Sequence, residues 1–179
     1  MQTDNTLIQL FLPIIQSGLA ADGFTGVTVQ QANQPTQQGI PTGPTVYFYK
    51  LYNRRYGFLG RQDVWDENLD QMTHHEGQYY ETSFRFQALV LQNVKTPGYT
   101  ASDLINEVAC ILQSDSTIVE LNAQNVGILR ITDISNPYFT DDRDNFEALP
   151  SFEITLLYLN DRISVDPVVD TYEYGIYPV

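Results

Sequence analysis

The stretch YYETSFRFQALVL, residues 79–91, carries the most regular alternation of side chains in the chain. Phe84, Phe86 and Ala88 share one face, and polar side chains such as Arg85 fall on the other. Because successive side chains of a strand point to opposite faces, this pattern is typical of a β-strand with one buried face. The stretch therefore predicts one long strand.

The residues before this strand predict a second strand and a protruding segment. Residues 45–52 alternate, with Val46 and Phe48 on one face and tyrosines on the other. Asn53-Arg54-Arg55 is expected to form a tight connection that ends this strand. The polar segment over 61–78 is then expected to protrude from the domain.

The N-terminal part of the chain predicts a helix. Residues 7–15 place apolar side chains at the i, i+3, i+4 spacing of one helix face. Asp4 is expected to cap the first turn. Pro13 lacks a backbone donor and is expected to kink the helix.

A second helix is predicted on the other side of the long strand. Thr100 and Asp103 have the three-residue spacing of a capping box, in which each side chain accepts a hydrogen bond from the other residue's backbone N–H. Apolar residues then follow on one face over 104–112. A short third helix is expected over 117–123.

Weaker patterns predict the remaining elements. These are strands over 24–30, 127–133 and 150–159, an exposed Gln- and Pro-rich loop within 27–45, an acidic loop over 140–147 and an extended C-terminal tail over about 161–179. The order of elements predicts an α+β fold, with an antiparallel or mixed sheet and helices packed on one face. At this length, residues 1–179 are expected to form a single domain.

Composition limits the classes of function. Nine Lys and Arg against 22 Asp and Glu give a formal charge of −13, which argues against an extended phosphate-binding face. The single cysteine cannot form an internal disulfide. The apolar residues 7–15 follow no basic residue and are broken by Pro13, so neither a signal peptide nor a membrane span is expected. Synthesis in a reducing cytoplasm is the simplest expectation.

Residues able to carry chemistry are sparse and poorly spaced. His74 and His75 are adjacent, so on a strand they point to opposite faces, and no metal site is expected there. Cys110 falls close to the apolar stripe of its helix and is expected to be a packed thiol. Carboxylate pairs such as Asp141 and Asp142 stand in an expected loop, where charge runs are usually solvated. We therefore assign no catalytic, metal-binding or cofactor-binding residue.

Aromatic and charged residues in the expected loops and tail are candidates for contacts with other subunits. Interfaces are enriched in Tyr, Trp and Arg, and this chain has 12 Tyr. In so acidic a chain, the two adjacent arginines are expected to meet a carboxylate on a neighbouring subunit. The candidate interface residues are Arg54, Arg55, Asp63, Trp65, Asp66, Glu67, Asp70, Tyr172, Tyr174 and Tyr177.

Three runs resemble the neck terminator proteins of long-tailed bacteriophages. They are VYFYKL with NRRYGF (46–58), ETSFRFQA (81–88) and FEALPSFEI (146–154), and the resemblance spans nearly the whole chain. It implies a tail-terminator-like structural protein of the virion neck, with a sheet flanked by helices. It also implies a homohexameric ring that caps the tail tube, joins it to the head-side connector and leaves a channel for DNA.

The resemblance also implies the partners. These are further copies of the chain, the tail tube protein, head-side connector or adaptor proteins and the sheath, with DNA passing through unbound and no membrane involved. One alternative is another neck or tail ring component, such as a head-tail adaptor or a tail tube subunit. A different class is an acidic binding module, either a DNA mimic or a carbohydrate binder.

Overall fold

The computed structural model describes residues 3–32, 43–67, 71–90, 98–140 and 146–166. Within them the helices are α1 (Asp4–Ala21), α2 (Ala101–Gln113) and α3 (Asp115–Ala123). The strands are β1 (Thr28–Gln31), β2 (Thr45–Asp66), β3 (Gln71–Leu89), β4 (Val126–Ile131), β5 (Tyr138–Thr140), β6 (Phe146–Ala148) and β7 (Ser151–Asp166). Five strands form a mixed sheet in the order β1-β2-β3-β7-β4, and β5 pairs with β6 in a separate hairpin. The predicted α+β class is confirmed.

The core lies between the sheet and the helices, and Phe11 of α1 is at its centre. Its ring makes edge-on contacts with Phe48, Phe84 and Phe86, with centroid separations of 5.2–5.6 Å. Phe86 also stacks on Phe152 of β7 at 5.4 Å. These side chains lie on one face of the sheet, the helix face, because α1, α2 and α3 contact one another and pack on that side. The alternation read from residues 84–88 thus marks the buried face correctly.

The N-cap of helix α1 lies one residue earlier than the sequence predicts. Thr3 is the N-cap, since its hydroxyl oxygen accepts a hydrogen bond from the backbone of Thr6. Asp4 instead lies in the first turn, where its carboxylate forms an ion pair with Lys50 of β2 at 2.6 Å. The helix runs on through the exposed Pro13 to Ala21.

Helix α2 has the predicted capping box. The Thr100 hydroxyl accepts a hydrogen bond from the backbone N–H of Asp103, and the Asp103 carboxylate accepts one from the backbone N–H of Thr100 at 2.8 Å. Gly18 lets α1 approach α2 closely, because a Cβ at this position would lie 2.8 Å from the side chain of Ile111. Cys110 is exposed rather than packed, because the buried side of α2 is formed by its neighbours Ala109 and Ile111 and by residues a turn away.

Two strands are much longer than the sequence indicated. Strand β2 continues through Asn53-Arg54-Arg55, where a tight connection was expected, and runs antiparallel to β3 as far as Asp66. Strand β7 extends to Asp166, so residues 161–166 belong to the sheet and not to a tail. Residues 61–66 and 71–78 of the polar segment therefore belong to the distal ends of β2 and β3. The reason is backbone pairing, which holds these polar residues in strands.

Three other segments agree only in part with what the sequence predicts. The acidic loop over 140–147 is bounded by the paired strands β5 and β6, and Asp141 and Asp142 between them lie outside the described residues. Of the Gln- and Pro-rich loop, residues 33–42 also lie outside them. The strand expected over 24–30 is the shorter β1, which is parallel to β2.

Candidate assembly surface

Beyond the core, three strands continue as a distal ribbon, formed by residues 53–66 of β2, 71–80 of β3 and 159–165 of β7. Within these ranges Gln78 alone is buried. Its side-chain amide donates hydrogen bonds to the carbonyl oxygens of Tyr56 and Tyr79. The Tyr56 carbonyl lies at a bulge in β2, where Gly57 has a φ of +69° that favours glycine. The amide therefore satisfies a backbone group at an irregular point of the ribbon.

The distal ribbon is rich in exposed apolar side chains. Nine of the twelve large hydrophobic residues that are exposed in the described part of the chain lie on it. They are Tyr56, Phe58, Leu59, Val64, Trp65, Tyr79, Leu159, Ile163 and Val165. Phe58, at the bulge, is 99% exposed. Exposed apolar side chains that cluster in one region are a common feature of contact sites for other molecules.

Most of these apolar residues share one face of the ribbon. Pairing across the strands aligns Tyr56, Tyr79 and Leu159 in one row, and Val64 and Val165 at the two ends of another. This face is opposite to the helix face, and we refer to it as the back face. A sheet face with aligned apolar rows can bury them against a second sheet or subunit.

Arg54 is held within its own chain. Its guanidinium forms a 2.5 Å ion pair with Glu81, whose side chain is only 2% exposed. The hydrogen bond to this carboxylate raises the pKa of Arg54 above its ordinary value. Strands β2 and β3 bring Arg54 opposite this carboxylate of its own chain, and its role in contacts with a neighbouring subunit stays a prediction.

Arg55 remains available. It is exposed on the helix-face side of the ribbon, and it forms no ion pair with any residue that the structure describes. Arg61, farther along the same strand, lies 3.4 Å from Glu76 in an exposed ion pair. Such surface pairs contribute little to stability, about 0–1 kcal/mol. These arginines are thus free to exchange partners on assembly.

The two histidines lie in β3 rather than in a turn. His74 Nδ1 is 2.6 Å from Asp63, and His75 Nδ1 is 3.0 Å from Asp161 on the opposite face. The adjacent histidines are therefore split between the faces, as alternation predicts. In the described ranges, no group of three or more His, Cys, Asp or Glu side chains is placed to hold one metal ion.

Only some of the remaining candidate residues lie within the part of the chain that the structure describes. Trp65 is 47% exposed, Asp66 is half-buried and Glu67 is exposed, all at the tip of β2. Four candidates lie outside the described residues: Asp70, Tyr172, Tyr174 and Tyr177. The structure brings Arg54, Arg55, Asp63 and Trp65 onto one strand. It adds β7 residues that the sequence did not indicate, because the strand was expected to end at Leu159.

The helix layer differs from the distal ribbon in the charges that it carries. None of the three helices contains Lys or Arg. Asp22, Glu107 and Glu120 line a cleft of about 400 Å³ between them. Burial, and then the neighbouring carboxylate of Asp22, raise the pKa of Glu107. The helices thus carry acidic side chains and no basic ones, although Lys50 of β2 reaches Asp4 of α1. The distal ribbon has as many basic as acidic residues: Arg54, Arg55, Arg61 and Arg162 against Asp63, Asp66, Glu76 and Asp161.

None of the helices within the described ranges is long and apolar enough to cross a membrane. Fold and surface together define an α+β domain whose distal ribbon exposes large apolar side chains. Residues 6–165 match the family model described as E217 gateway protein gp29, and the chain belongs to that family. The recognition of a phage tail-terminator-like structural protein is thereby confirmed.

Comparison with solved structures finds a sheath/tube terminator of an extracellular contractile injection system, PVC, in the extended state. The identity is 10% and the TM-score 0.47, and the match covers 100% of this chain and 65% of that one. The chain thus spans slightly less than two thirds of that protein. No curated protein matches the chain.

Proposed function

We propose that this protein assembles as a six-membered ring in the phage neck, caps the tail tube and joins it to head-side connector proteins. Membership of the gateway protein family gives the structural class. The single observation that carries the proposal is the distal ribbon, which leaves nine large apolar side chains exposed in the isolated chain. Such a surface is costly in water and is buried when subunits associate.

A ring requires two different surfaces on one subunit that fit each other. The helix layer, whose helices contain no Lys or Arg, and the distal ribbon, which combines four arginines with four acidic residues and exposed apolar side chains, are two unlike surfaces. Complementary charge guides the approach of subunits, and apolar contacts then hold them. The tail tube, the connector or adaptor proteins and the sheath are the partners expected above and below the ring.

The central channel would let DNA pass without binding. Six copies at −13 each carry a formal charge of −78. If part of this charge lines the channel, its wall repels phosphates and provides no contacts that would hold DNA. The chain would be made in the host cytoplasm and then built into the virion.

The test is the mass of the purified full chain by light scattering, alone and with isolated tail tubes, followed by electron microscopy. The expected result is a six-membered ring, free or at one end of the tube. A strict monomer or dimer that does not bind tubes would contradict the proposal. That result would favour an acidic module that mimics DNA, for which the helix layer without basic residues is the supporting feature.

A further inference from the structure

The distal ribbon has two edges without pairing partners among the described residues. Strand β1 pairs with β2 only from Thr45 to Phe48, so the outer edge of β2 is open beyond that point. Strand β4 pairs with β7 only up to Tyr158, so the outer edge of β7 is open from Leu159 onward. Open edges present rows of backbone donors and acceptors that another strand can pair with.

Both regular edge segments contain charged side chains, but they lack two of the devices that most commonly block edge pairing. Residues 60–66 of β2 lie beyond the bulge and are regularly paired with β3. Residues 159–165 of β7 are regular throughout. Neither contains a lysine or a proline, the residues with which soluble proteins commonly block edge pairing.

The two edges have the same direction. Strands β2 and β7 both run antiparallel to β3, so they are parallel to each other. In a ring, every copy has the same orientation relative to the axis, so β7 of one copy would meet β2 of the next in a parallel pairing. A two-fold dimer would instead bring two identical edges together.

Side chains at the two edges also match. Val64 of β2 and Val165 of β7 end the same row of the back face, one at each edge. Both are exposed in the single chain. Joining the edges would place the two valines side by side, and cross-strand pairs of β-branched side chains stabilise sheets. The fully exposed Phe58 lies on the β2 side of the same contact.

From these observations we infer that the occupant of each ribbon edge is a second copy of this chain. The residues 159–165 of one copy add in parallel to residues 60–66 of the next, so that the ribbons form one continuous sheet around the ring. This inference rests on the proposed ring and names the contact that closes it.

Disulfide trapping tests the contact in the full-length chain. The background is Cys110→Ser, because the native thiol is exposed. Val64→Cys is combined with Val165→Cys. A second variant combines Val64→Cys with Ile163→Cys and tests a pairing that is shifted by two residues along β7. Adjacent strands bring Cα atoms within the distance that a disulfide spans, about 4.4–6.8 Å. Oxidation of assembled rings should give a ladder of covalent oligomers up to the full ring with one of these pairs.

The controls separate the contact from ring formation itself. Val64→Cys with Ser164→Cys places the thiols on opposite faces of the sheet and should not give the ladder. Variants with only one of the introduced cysteines should not give it either. Rings of normal mass without a ladder from either test pair would overturn the edge pairing and leave the proposed function standing. Covalent dimers from Val165→Cys alone would also overturn it. If no ring forms under any condition, the proposed function fails as well.

A charged substitution at the edge of β7 tests the same contact independently. Val165→Lys adds a lysine to an exposed edge position and should reduce ring assembly at least about tenfold, since lysine blocks edge pairing. Leu129→Lys on β4 is the matched control, because Leu129 is 48% exposed and Val165 is 47% exposed. The control should assemble normally. Equal assembly of both variants, with unchanged melting temperatures, would overturn the inference.

Discussion

The proximal and distal halves of the long strands have the same backbone pairing but opposite surroundings. In the proximal half, Phe48, Phe84 and Phe86 are buried beneath α1. In the distal half, no comparable apolar side chain is buried, and Phe58 is 99% exposed. The difference indicates that the buried core stabilises the proximal half, and under the proposed function the distal ribbon makes the contacts with other subunits.

The largest expected effect is the difference in stability between two phenylalanine-to-alanine substitutions, one in each half. Phe11→Ala should lower the free energy of unfolding by about 4 kcal/mol, because it leaves a cavity against three phenylalanines. Phe58→Ala should change it by less than about 0.5 kcal/mol. Urea denaturation of the monomer measures both values. A loss of similar size at the two positions would break the comparison.

The boundary between the halves is marked by the Arg54–Glu81 pair. Arg54→Gln removes the partner of a buried carboxylate, so the protein should melt at a clearly lower temperature. Arg55→Gln is the adjacent control and should leave the melting temperature unchanged while weakening assembly. Thermal melts at neutral pH distinguish the two. Equal melting temperatures would mean that Glu81 is satisfied without Arg54.

The proximal half also depends on its helix cap. Thr100→Ala should lower the free energy of unfolding by about 1 kcal/mol, because it removes the hydroxyl that accepts a hydrogen bond from the backbone N–H of Asp103.

Hydrogen bonds from Thr100 lower the pKa of Asp103. The resulting stabilisation is present above the ordinary aspartate pKa and is lost as the pH falls through the lowered value. Denaturation of wild type and Asp103→Asn across the acid range should therefore converge at low pH.

The smallest expected effect lies in the acidic cleft of the helix layer. The pKa of Glu107 is raised by burial and by Asp22, so its ionised form is disfavoured in the folded chain. Its contribution to stability should then fall as the pH rises from the ordinary glutamate pKa through the raised value. Glu107→Gln should raise the melting temperature at neutral pH by about 1 °C. A lower melting temperature would show that the carboxylate has a cationic partner.

Sequence patterns identified the proximal half well. The alternation through Phe84, Phe86 and Ala88 predicted the buried face, and Thr100 with Asp103 predicted the start of α2. Both signals are local and follow from burial or capping. The α+β class followed from the order of these elements.

Sequence patterns of this kind did not predict the distal ribbon, for a physical reason. Its side chains are exposed on both faces, so apolar alternation is diluted by residues such as Gln62 and Asp161. The Asn53-Arg54-Arg55 run resembles a turn, yet it is held in a strand by pairing with residues 80–82 of β3. Such long-range pairing leaves no periodic signal in the sequence. The individual interface residues thus stay predictions.

Hydrogen exchange of the full chain, free and assembled, tests most directly whether the distal ribbon is the assembly half. The account predicts that amides of the core-facing parts of β3 and β7 are protected in both states. Of the amides over 60–66 and 159–165, those that face away from β3 gain protection only on assembly. Unchanged exchange over 60–66 and 159–165 in assembled rings, with new protection elsewhere, would contradict it.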